Sequence, residues 1–318
     1  MFFVFALLCG CGNTNSSSNV SQMVSVVSHN ISSQNDTVLN NESVLSPVTD
    51  IISSEVSSII STPESSKGNS SVLSVDESSD VSLDESQVAV SYPKIDTEGK
   101  KLVAFTFDDA PNDVTQKLID LFYDNGAHGT LFVIGYMVNQ KYHSVLKDAL
   151  DKGIELGNHS YSHTTFTTAG WGASQIKNDL LLNQNIIKNI TGYEMKITRL
   201  PELAGNDNVY EATEDLELPM IAASLKSGLL LTDWQNSSTP EEFIQHVNAT
   251  VFDGAIYCCH NNENTYEAMK HIIPKLQEEG YAFVSISELF ELRETTPPLC
   301  EQIREVEPDG NVVTHVDD

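Results

Sequence analysis

The amino-acid sequence predicts an α/β fold for the second part of the chain and a disordered segment before it. Of the 318 residues, 45 are Asp or Glu and 17 are Lys or Arg, which gives a formal net charge of -28. Residues 1–93 contain one basic residue, Lys67, and no aromatic residue between Phe5 and Tyr92. After Tyr92, strand-like apolar runs alternate with amphipathic helical stretches for about 190 residues, which predicts parallel strands joined by crossover helices, in a barrel or a doubly wound sheet.

The chain begins with a short apolar run that resembles an export signal. The run is too short to span a bilayer, which takes about 20 apolar residues, but it has the length of a signal-peptide core. Leu8-Cys9-Gly10-Cys11 looks like a bacterial lipobox, so residues 1–11 are predicted to be a signal peptide and Cys11 to carry a lipid anchor. No basic residue precedes the run, a departure that a start codon placed too far downstream would explain; a frayed apolar N-terminus is the alternative.

Residues 12–92 are predicted to be a disordered linker, because they consist mainly of Ser, Asn, Val, Asp and Glu with few large apolar groups. Such a segment cannot bury enough apolar surface to offset the backbone entropy of folding. Its acidic residues repel one another and extend the chain. An extended tether of this kind would hold a domain away from the membrane and within reach of the cell wall.

The charge and the cysteines argue against several classes of protein. A net charge of -28 without a basic cluster disfavours electrostatic binding of nucleic acid or of an anionic lipid surface. If Cys9 is removed with the signal and Cys11 is lipidated, three cysteines remain: Cys258, Cys259 and Cys300. An odd number does not make a disulfide framework. The vicinal pair lies in an apolar run, which predicts buried strand thiols.

Each element of the folded part is predicted from hydrophobic spacing and from residues that begin or end helices. Strands are predicted at 102–107, 128–135, 154–157, 196–199, 220–225, 254–259 and 281–286. Helices are predicted at 114–125, 142–152, 173–190, 209–216 and 265–279, with one more capped by Thr239. Residues 293–318, which contain Pro297-Pro298, are predicted to form an irregular extension. No Gly-x-Gly-x-x-Gly follows the first strand, which disfavours a dinucleotide-binding fold.

Two acidic residues follow the first predicted strand, at the end where α/β folds build their sites. Asp108 and Asp109 are adjacent, so both carboxylates can serve one site only where the chain turns, and Ala110-Pro111 supplies a turn. Acidic residues at the end of a loop are also common without any function. The pair alone therefore leaves both interpretations open.

A pair of histidines follows the short strand predicted at 154–157. His159 and His163 are four residues apart, so both rings can reach one metal ion if the segment is helical. In a chain with nine histidines, such a pair also arises by chance. One aspartate and two histidines would make three ligands, the usual number for a catalytic zinc ion that keeps one position open for water.

Three further strand ends carry Arg199, Asp233 and His260. Each has an ordinary interpretation when taken alone. Arg199 could form a structural ion pair, Asp233 could belong to a turn, and His260 could be a hydrogen-bonded core histidine. Their order along the chain, after the aspartates and the histidine pair, is what makes them informative.

In that order the residues resemble the five motifs of the NodB-like polysaccharide deacetylases, carbohydrate esterase family 4. The motifs are Thr106-Phe-Asp-Asp-Ala-Pro111, His159-Ser-Tyr-Ser-His163, Arg199-Leu-Pro201, Asp233-Trp234 and His260. The resemblance covers residues 100–289, and its first two motifs are the most specific. It implies a distorted, incomplete (β/α) barrel over 93–292 and metal-dependent removal of acetyl groups from the sugars of a polysaccharide.

The resemblance also implies a role for each motif residue. Asp109, His159 and His163 would bind one divalent metal ion; zinc suits this nitrogen and oxygen ligand set, with cobalt or nickel as alternatives. Asp108 would be the general base, and Arg199 would hold its carboxylate. The metal would polarise the acetyl carbonyl and lower the pKa of the attacking water.

The remaining motif residues would act on the leaving group and on the substrate. His260 would be the general acid, with Asp233 tuning its protonation. The backbone N–H of Glu202 would stabilise the oxyanion. Pro201, Glu202 and Trp234 are therefore predicted to lie against the substrate.

Four positions depart from the usual pattern of the family. Ala110 stands in place of Gly, Glu202 in place of an aromatic residue, Leu230 in place of Asp, and Cys258 in place of a large aliphatic residue. A Glu202 side chain that pointed inward would oppose a developing oxyanion. None of the four removes a ligand or a proton carrier, so they bear on substrate preference more than on activity.

The sequence thus predicts an N-deacetylase that acts on N-acetylglucosamine in peptidoglycan or in a chitin-like glycan. An O-acetyl esterase acting on acetylxylan and a catalytically silent glycan-binding lipoprotein are the alternatives. The lipobox predicts a location on the outer face of the bacterial cytoplasmic membrane, lipid-anchored or secreted. The sequence does not indicate an oligomeric state.

Overall fold

A computed structural model describes residues 93–224 and 239–315, and every structural statement below refers to these ranges. They all belong to one of the two units into which the chain divides, Ser79–Asp318. The predicted signal peptide and linker, with Cys11, lie outside the described residues, as do Asp233 and Trp234. None of the described helices is both long enough and apolar enough to cross a membrane.

The described residues alternate between strands and helices, as predicted. The strands are β1 (Lys101–Ala110), β2 (Gly129–Val133), β3 (Ile154–Asn158), β4 (Met220–Ile221), β5 (Ala255–His260), β6 (Tyr281–Phe283), β7 (Gln302–Val306) and β8 (Val312–His315). The α-helices are α1 (Thr115–Asp124), α2 (His143–Asp151), α3 (Ala173–Thr191), α4 (Asp207–Asp215), α5 (Pro240–Thr250), α6 (Glu263–Glu278) and α7 (Ile286–Leu292).

The eight described strands form one sheet in the order β3-β2-β1-β5-β7-β4, with β6 paired to β1 and β8 paired to β7. β1 pairs in parallel with β2, β5 and β6, and β2 pairs in parallel with β3. Thr198 forms parallel bridges to both Asn158 of β3 and Met220 of β4, so it links the two ends of the sheet. The prediction of a distorted, incomplete (β/α) barrel is confirmed. The strand predicted at 196–199 is reduced to this single bridging residue.

The two faces of β1 pack into different parts of the core, because successive residues of a strand point to opposite faces. Val103, Phe105 and Phe107 belong to the cluster that contacts helices α1, α2, α5 and α6. Leu102 and Ala104 belong to a second cluster, inside the curved sheet, which α7 closes from one end. The carboxyl ends of the central strands carry polar residues, and there Asp108 of β1 pairs with His260 of β5.

Residues 302–306 and 312–315 form strands, so the prediction of an irregular extension at 293–318 is wrong for these residues. β7 pairs in parallel with β4 and antiparallel with β5, and β8 folds back antiparallel on β7. The sequence contains a hairpin signal that Pro297-Pro298 obscured: Asp309-Gly310 separates two short runs of strand-forming residues, and Gly310 has a φ of 85°.

The helix α7 is a second difference from the predicted elements. The strand predicted at 281–286 ends at Phe283, and α7 begins at Ile286. Ser285 caps the helix by accepting a hydrogen bond from the N–H of Glu288, whose side chain accepts from the N–H of Ser285 in return. This capping box stops the strand, because the chain must turn into the helix after Ser285.

Candidate active site

The end of β1 brings two adjacent carboxylates to one side of the sheet. The pairing of β1 with β2 shifts register between Phe107 and Ala110, and Asp109 has a φ of 62°. A residue in this left-handed region breaks the alternation of side chains that a regular strand imposes. Asp108 and Asp109 can therefore face the same site, as the sequence analysis required of a turn at this point.

Asp109, His159 and His163 lie together as a candidate metal site. Asp109 Oδ1 is 3.3 Å from His163 Nε2 and 3.8 Å from His159 Nε2. Ligand atoms that each lie about 2.0–2.2 Å from a zinc ion are separated by distances of this size. Among the described residues, Asp109 Oδ1 is buried and accepts no hydrogen bond. A divalent cation would satisfy this buried oxygen, so the three residues fit the implied metal.

His159 is held in the tautomer that a metal ligand needs. Its Nδ1 is 2.8 Å from the carbonyl oxygen of Arg199, so Nδ1–H donates to that oxygen and leaves the Nε2 lone pair facing Asp109. Burial lowers the pKa of His159, and the nearby His163 lowers it further against the opposing effect of Asp108. The ring is therefore neutral near pH 7, which is the form that binds a metal.

The segment from His159 to His163 is not helical, in contrast to the condition stated in the sequence analysis. Ser160 and His163 have φ values of 62° and 53°, and the two rings still converge, with centroids 4.9 Å apart. Asp179 of α3 holds this turn by accepting hydrogen bonds from the N–H groups of Tyr161 at 2.7 Å and Ser162 at 3.2 Å. Convergence therefore comes from a turn fixed by a neighbouring helix.

A second residue of α3 fixes the start of the same turn. Asn183 is fully buried and donates hydrogen bonds to the Val133 carbonyl at 2.7 Å and to Asn158 Oδ1 at 2.9 Å. Asn158 Oδ1 also accepts from the N–H of Ser160. The roles of Asp179 and Asn183 were not among the predictions from the sequence. A polar residue on the apolar side of a predicted helix, as Asn183 is, was the signal that could have found them.

Asp108 forms a buried ion pair with Arg199. Nη1 of Arg199 donates to Asp108 Oδ1 at 2.8 Å and to the Thr106 hydroxyl at 2.6 Å. The carbonyls of Ile221 and Ala222 accept from Nε at 3.0 Å and from Nη2 at 2.8 Å, so the fully buried guanidinium is held on several sides. An arginine held this rigidly fixes the direction of the carboxylate as well as its charge.

The pKa of Asp108 is set by two opposing effects. Burial raises it, but Arg199, together with His159 and His260 in their protonated forms, outweighs burial and brings the pKa below its ordinary value. Asp108 is therefore ionised at neutral pH. Its second oxygen, Oδ2, lies 3.9 Å from His159 Nε2, next to the candidate metal site.

The buried thiol of Cys258 also contacts Asp108. Its Sγ donates to Asp108 Oδ2 at 3.3 Å, a contact that the sequence analysis did not foresee. Cys258 and Cys259 are both buried thiols of β5, which confirms the prediction made for the vicinal pair. Because adjacent strand residues face opposite ways, Cys258 faces the site and Cys259 joins the core against the helices.

The other predicted site residues are placed as follows. His260 ends β5, beside Asp108 in the register of the sheet, and its predicted partner Asp233 lies outside the described residues. Pro201 is buried and begins a short 3-10 turn. Glu202 follows it with a φ of 57° and an exposed side chain, so its carboxylate is not buried among the site residues. The described residues thus bring together Asp108, Asp109, His159, His163 and Arg199.

Comparison with known proteins relates the chain to deacetylases. Residues 95–221 match the family model described as polysaccharide deacetylase. A bifunctional xylanase/deacetylase of Pseudobutyrivibrio xylanivorans is 33% identical over 205 residues, which are 64% of this chain and 32% of that protein. A peptidoglycan-N-acetylglucosamine deacetylase of Bacillus cereus is 29% identical over 195 residues, which are 60% of this chain and 88% of that protein. The match thus spans about a third of the first relative and most of the second.

Solved structures relate the fold to the same family. The Xyl-CE4 domain of a multidomain xylanase, from the hindgut metagenome of Trinervitermes trinervoides, has a TM-score of 0.60 and 30% identity, covering 67% of this chain and all of that domain. A family 4 acetyl xylan esterase from Clostridium thermocellum, in complex with a cobalt ion, has a TM-score of 0.59 and 29% identity, covering 65% of this chain and 99% of that one. The chain therefore belongs to the polysaccharide deacetylase family of hydrolases, carbohydrate esterase family 4.

Proposed function

We propose that the protein is a metal-dependent hydrolase that removes acetyl groups from N-acetylated sugars of a polysaccharide, either peptidoglycan or a chitin-like polymer of N-acetylglucosamine. One observation carries the proposal: a three-ligand metal site lies directly beside a carboxylate that a buried arginine keeps ionised. Asp108 Oδ2 and His159 Nε2 are 3.9 Å apart, so the candidate base lies next to the candidate metal site.

Asp109, His159 and His163 would hold one divalent metal ion. The ligand set suits zinc, and cobalt or nickel are alternatives; the cobalt ion bound by the Clostridium thermocellum esterase supports a divalent metal in this family. When bound, such an ion polarises the acetyl carbonyl and makes water a stronger nucleophile at neutral pH. The Arg199 carbonyl and Asp179 keep the two histidines in place for it.

Asp108 would take the proton from the attacking water. The residue is suited to this role because Arg199 holds one carboxylate oxygen and leaves the other directed towards the metal site. The backbone N–H of Glu202 would stabilise the oxyanion, while the Glu202 side chain is exposed. The negative charge of that side chain then lies in solvent, where it opposes the oxyanion least.

His260 would protonate the departing nitrogen, with Asp233 tuning its protonation, while Pro201, Glu202 and Trp234 would contact the sugar. His260 lies at the end of β5, beside Asp108 in the register of the sheet, and this position supports a role at the same site. Asp233 and Trp234 keep these roles as predictions from the sequence.

An O-acetyl esterase acting on acetylxylan is the second candidate. The names of three relatives, a xylanase/deacetylase, a xylanase domain and an acetyl xylan esterase, favour it. The Bacillus cereus relative favours the peptidoglycan substrate. A catalytically silent glycan-binding protein is the least favoured reading, because the described ligands and base are all in place.

The location follows from the same proposal. A cell-wall substrate requires action outside the cytoplasm, and the curated peptidoglycan deacetylase among the relatives supports this. Residues 1–11 would be the signal peptide, Cys11 the lipid anchor and residues 12–92 the tether. The catalytic domain would begin at residue 93 and extend to the end of β8 rather than to residue 292, because β7 and β8 complete its sheet.

The proposal is tested by measuring acetate release from chito-oligosaccharide, peptidoglycan and acetylxylan in parallel, with and without a chelator. We expect release from the two N-acetylated substrates, loss of release after chelation and recovery when zinc is added back. Asp108→Asn should lower kcat by about 10²–10⁴-fold while metal binding is kept. Asp113→Asn, at an exposed carboxylate that pairs with Lys141, is the matched control and should keep full activity.

Three results would contradict the proposal in different ways. Activity confined to acetylxylan would replace the amide substrate with an ester. Activity that survives the chelator or Asp108→Asn would exclude the mechanism. No acetate from any of the three substrates, by protein that binds metal, would favour the silent glycan-binding alternative.

A further inference from the structure

The loop that carries the proposed oxyanion donor has an unusual backbone. Glu202 and Leu203 are both non-glycine residues in the left-handed region, with φ values of 57° and 55°. Two such residues in succession cost conformational free energy and persist only where surrounding contacts hold them. Within the loop, the N–H of Leu203 donates to the Leu200 carbonyl at 3.0 Å, and the N–H of Ala204 donates to the Pro201 carbonyl at 3.4 Å.

A further hydrogen bond to the loop comes from strand β7. Gln302, the first residue of β7, is 3% exposed, and its side-chain Nε2 donates to the carbonyl oxygen of Leu203 at 3.0 Å. That carbonyl belongs to the peptide unit between Leu203 and Ala204, the second unit after the one that contains the Glu202 N–H. A buried amide that fixes this carbonyl therefore fixes the orientation of the loop from a point 99 residues away along the chain.

The same strand supports the residues that hold Arg199. β7 pairs with β4 in the register Met220 to Gln302 and Ile221 to Ile303, and the N–H of Ala222 donates to the Ile303 carbonyl at 2.7 Å. The carbonyls of Ile221 and Ala222 are the acceptors for the Arg199 guanidinium. One C-terminal strand thus contacts both the oxyanion loop and the segment behind the Asp108–Arg199 pair.

The close approach of β7 to the barrel also depends on a glycine. A Cβ on Gly254 would lie 1.9 Å from the carbonyl oxygen of Val306, which no side chain can tolerate. Gly254 has a φ of 97°, and its carbonyl accepts a hydrogen bond from the N–H of Val306 at 3.2 Å. The start of β5 is therefore built to receive β7.

We propose that β7 is part of the catalytic scaffold, and that Gln302 is a positioning residue which holds Glu202 and Leu203 in the conformation that directs the Glu202 N–H at the oxyanion. The inference rests on the proposed deacetylase function. β7 lies beyond residues 95–221, which the family model matches, so the family motifs alone do not include it. The proposed role of Gln302 is exerted through its hydrogen bond to the Leu203 carbonyl of the loop.

The test uses the full chain with Gln302→Met and Gln302→Leu, which replace the amide with an apolar side chain of similar size and so remove the donor. We expect kcat for acetate release to fall on the order of tenfold, less than the loss of a whole oxyanion donor, with KM and zinc affinity unchanged. Gln184→Met is the matched control. Gln184 Nε2 also donates to a backbone carbonyl at 3.0 Å, that of Met195, which is not part of the loop. The control variant should leave kcat unchanged.

Hydrogen exchange of the metal-free protein gives a readout that does not depend on activity. The amides of residues 202–204 should exchange faster in Gln302→Met than in the wild type, while those of Gln184→Met should match the wild type there. Equal kcat and equal exchange in the Gln302 variants would overturn the inference. A wild type that releases no acetate would instead reject the proposed function, and the exchange data would still decide whether Gln302 holds the loop.

Discussion

Two buried carboxylates in the same sheet have opposite surroundings. Asp108, near the end of β1, is 5% exposed and accepts a hydrogen bond from Arg199 at 2.8 Å. Glu155, in β3, is fully buried and accepts hydrogen bonds from the N–H and hydroxyl of Ser287 and from the Thr130 hydroxyl. Burial is nearly equal at the two positions, so the difference lies in the partner: a cation at one, and neutral donors at the other.

The pKa values move in opposite directions as a result. Burial is the largest influence on both and acts upwards. At Asp108 the charge of Arg199, together with His159 and His260 in their protonated forms, outweighs it, and the pKa lies below its ordinary value. At Glu155 the hydrogen bonds from Ser287 and Thr130 do not outweigh burial, and the pKa lies above its ordinary value.

This difference separates a candidate base from a structural residue. A general base must be ionised before it can take a proton, and in a dry interior only a nearby cation secures that. Glu155 instead ties β3 to the first turn of α7, where the N–H of Ser287 needs an acceptor. A perturbed pKa alone would have marked both residues as functional, whereas the sign of the shift distinguishes them.

Removing the cation should make Asp108 resemble Glu155, and this is the largest effect we predict. Arg199→Met keeps the length of the side chain but leaves Asp108 buried without a countercharge. We expect unfolding by denaturant to show a loss of about 3–5 kcal/mol. Acetate release should fall about 10²–10⁴-fold, because the base is no longer held ionised and in place.

A double variant separates the two parts of that effect. In Arg199→Met with Asp108→Asn, no uncompensated charge remains, so much of the lost stability should return while activity stays low. If the single variant is as stable as the wild type, the ion pair does not have the energetic role assigned to it. If the double variant recovers activity, Asp108 is not the base.

Asp179 allows the effect of position to be separated from that of charge. It is a third buried carboxylate, and, as at Glu155, its described donors are neutral and burial raises its pKa. It differs from Glu155 in its location, because it holds the turn between His159 and His163. Asp179→Ala should weaken zinc binding about 10–100-fold, the usual cost of losing a residue that orients a ligand.

Zinc titration with a competing chelator measures this change. Asp215→Ala is the control. Asp215, in α4, makes an exposed ion pair with Lys177 of α3, the helix that contains Asp179. Equal zinc affinity in the Asp179 variant would show that the turn keeps its shape without the carboxylate.

Glu155 should leave a signature in the pH dependence of stability. Its pKa in the folded protein exceeds the unfolded value, so the folded state binds the proton more tightly, and the unfolding free energy falls as the pH rises through the interval between the two values. The slope from one proton is at most about 1.4 kcal/mol per pH unit. Glu155→Gln removes this contribution and should flatten the profile on the alkaline side of pH 4.5.

Asp108 acts with the opposite sign, since its lowered pKa gives stability that is lost as the pH falls through the folded value. Urea unfolding at a series of pH values, for the wild type and for Glu155→Gln, tests the assignment. A slope unchanged in Glu155→Gln would mean that another group titrates there.

The parts of this structure that could be predicted are those where one residue type marks one place in the fold. The alternation of strands and helices predicted the barrel, and polar residues at strand ends predicted that Asp108, Asp109 and His159 would meet. Those positions follow from the geometry of parallel strands, whose carboxyl ends share one edge of the sheet. The chemical roles of the residues remain predictions from family resemblance.

The parts that could not be predicted depend on contacts between distant segments. The sequence does not indicate that Asp179 would accept hydrogen bonds from two N–H groups of the histidine turn. Tertiary packing decides which side of α3 lies against that turn. Gln302 has no sequence feature that pairs it with the Leu203 carbonyl. The strand β7 was hidden by composition, since a short polar run after Pro297-Pro298 gives a weak periodic signal.

The smallest predicted effect concerns Cys258, the neutral donor to Asp108. Cys258 Sγ donates to Asp108 Oδ2 at 3.3 Å, and a thiol is a weak donor, so its contribution should be small. Cys258→Ala should change kcat by a few-fold, about 1 kcal/mol or less in activation free energy, since the Arg199 ion pair remains. Steady-state acetate release measures it.

The neighbouring thiol is the natural control for that variant. Cys259 lies on the opposite face of β5, in the core against the helices. Cys259→Ala should therefore lower the free energy of unfolding by about 1 kcal/mol while leaving kcat unchanged. The two variants remove the same atom from adjacent positions, so a change in kcat only at Cys258 would assign the effect to the carboxylate. Equal effects of both variants on kcat would instead show that β5 responds as a whole, and that the thiol has no separate influence on Asp108.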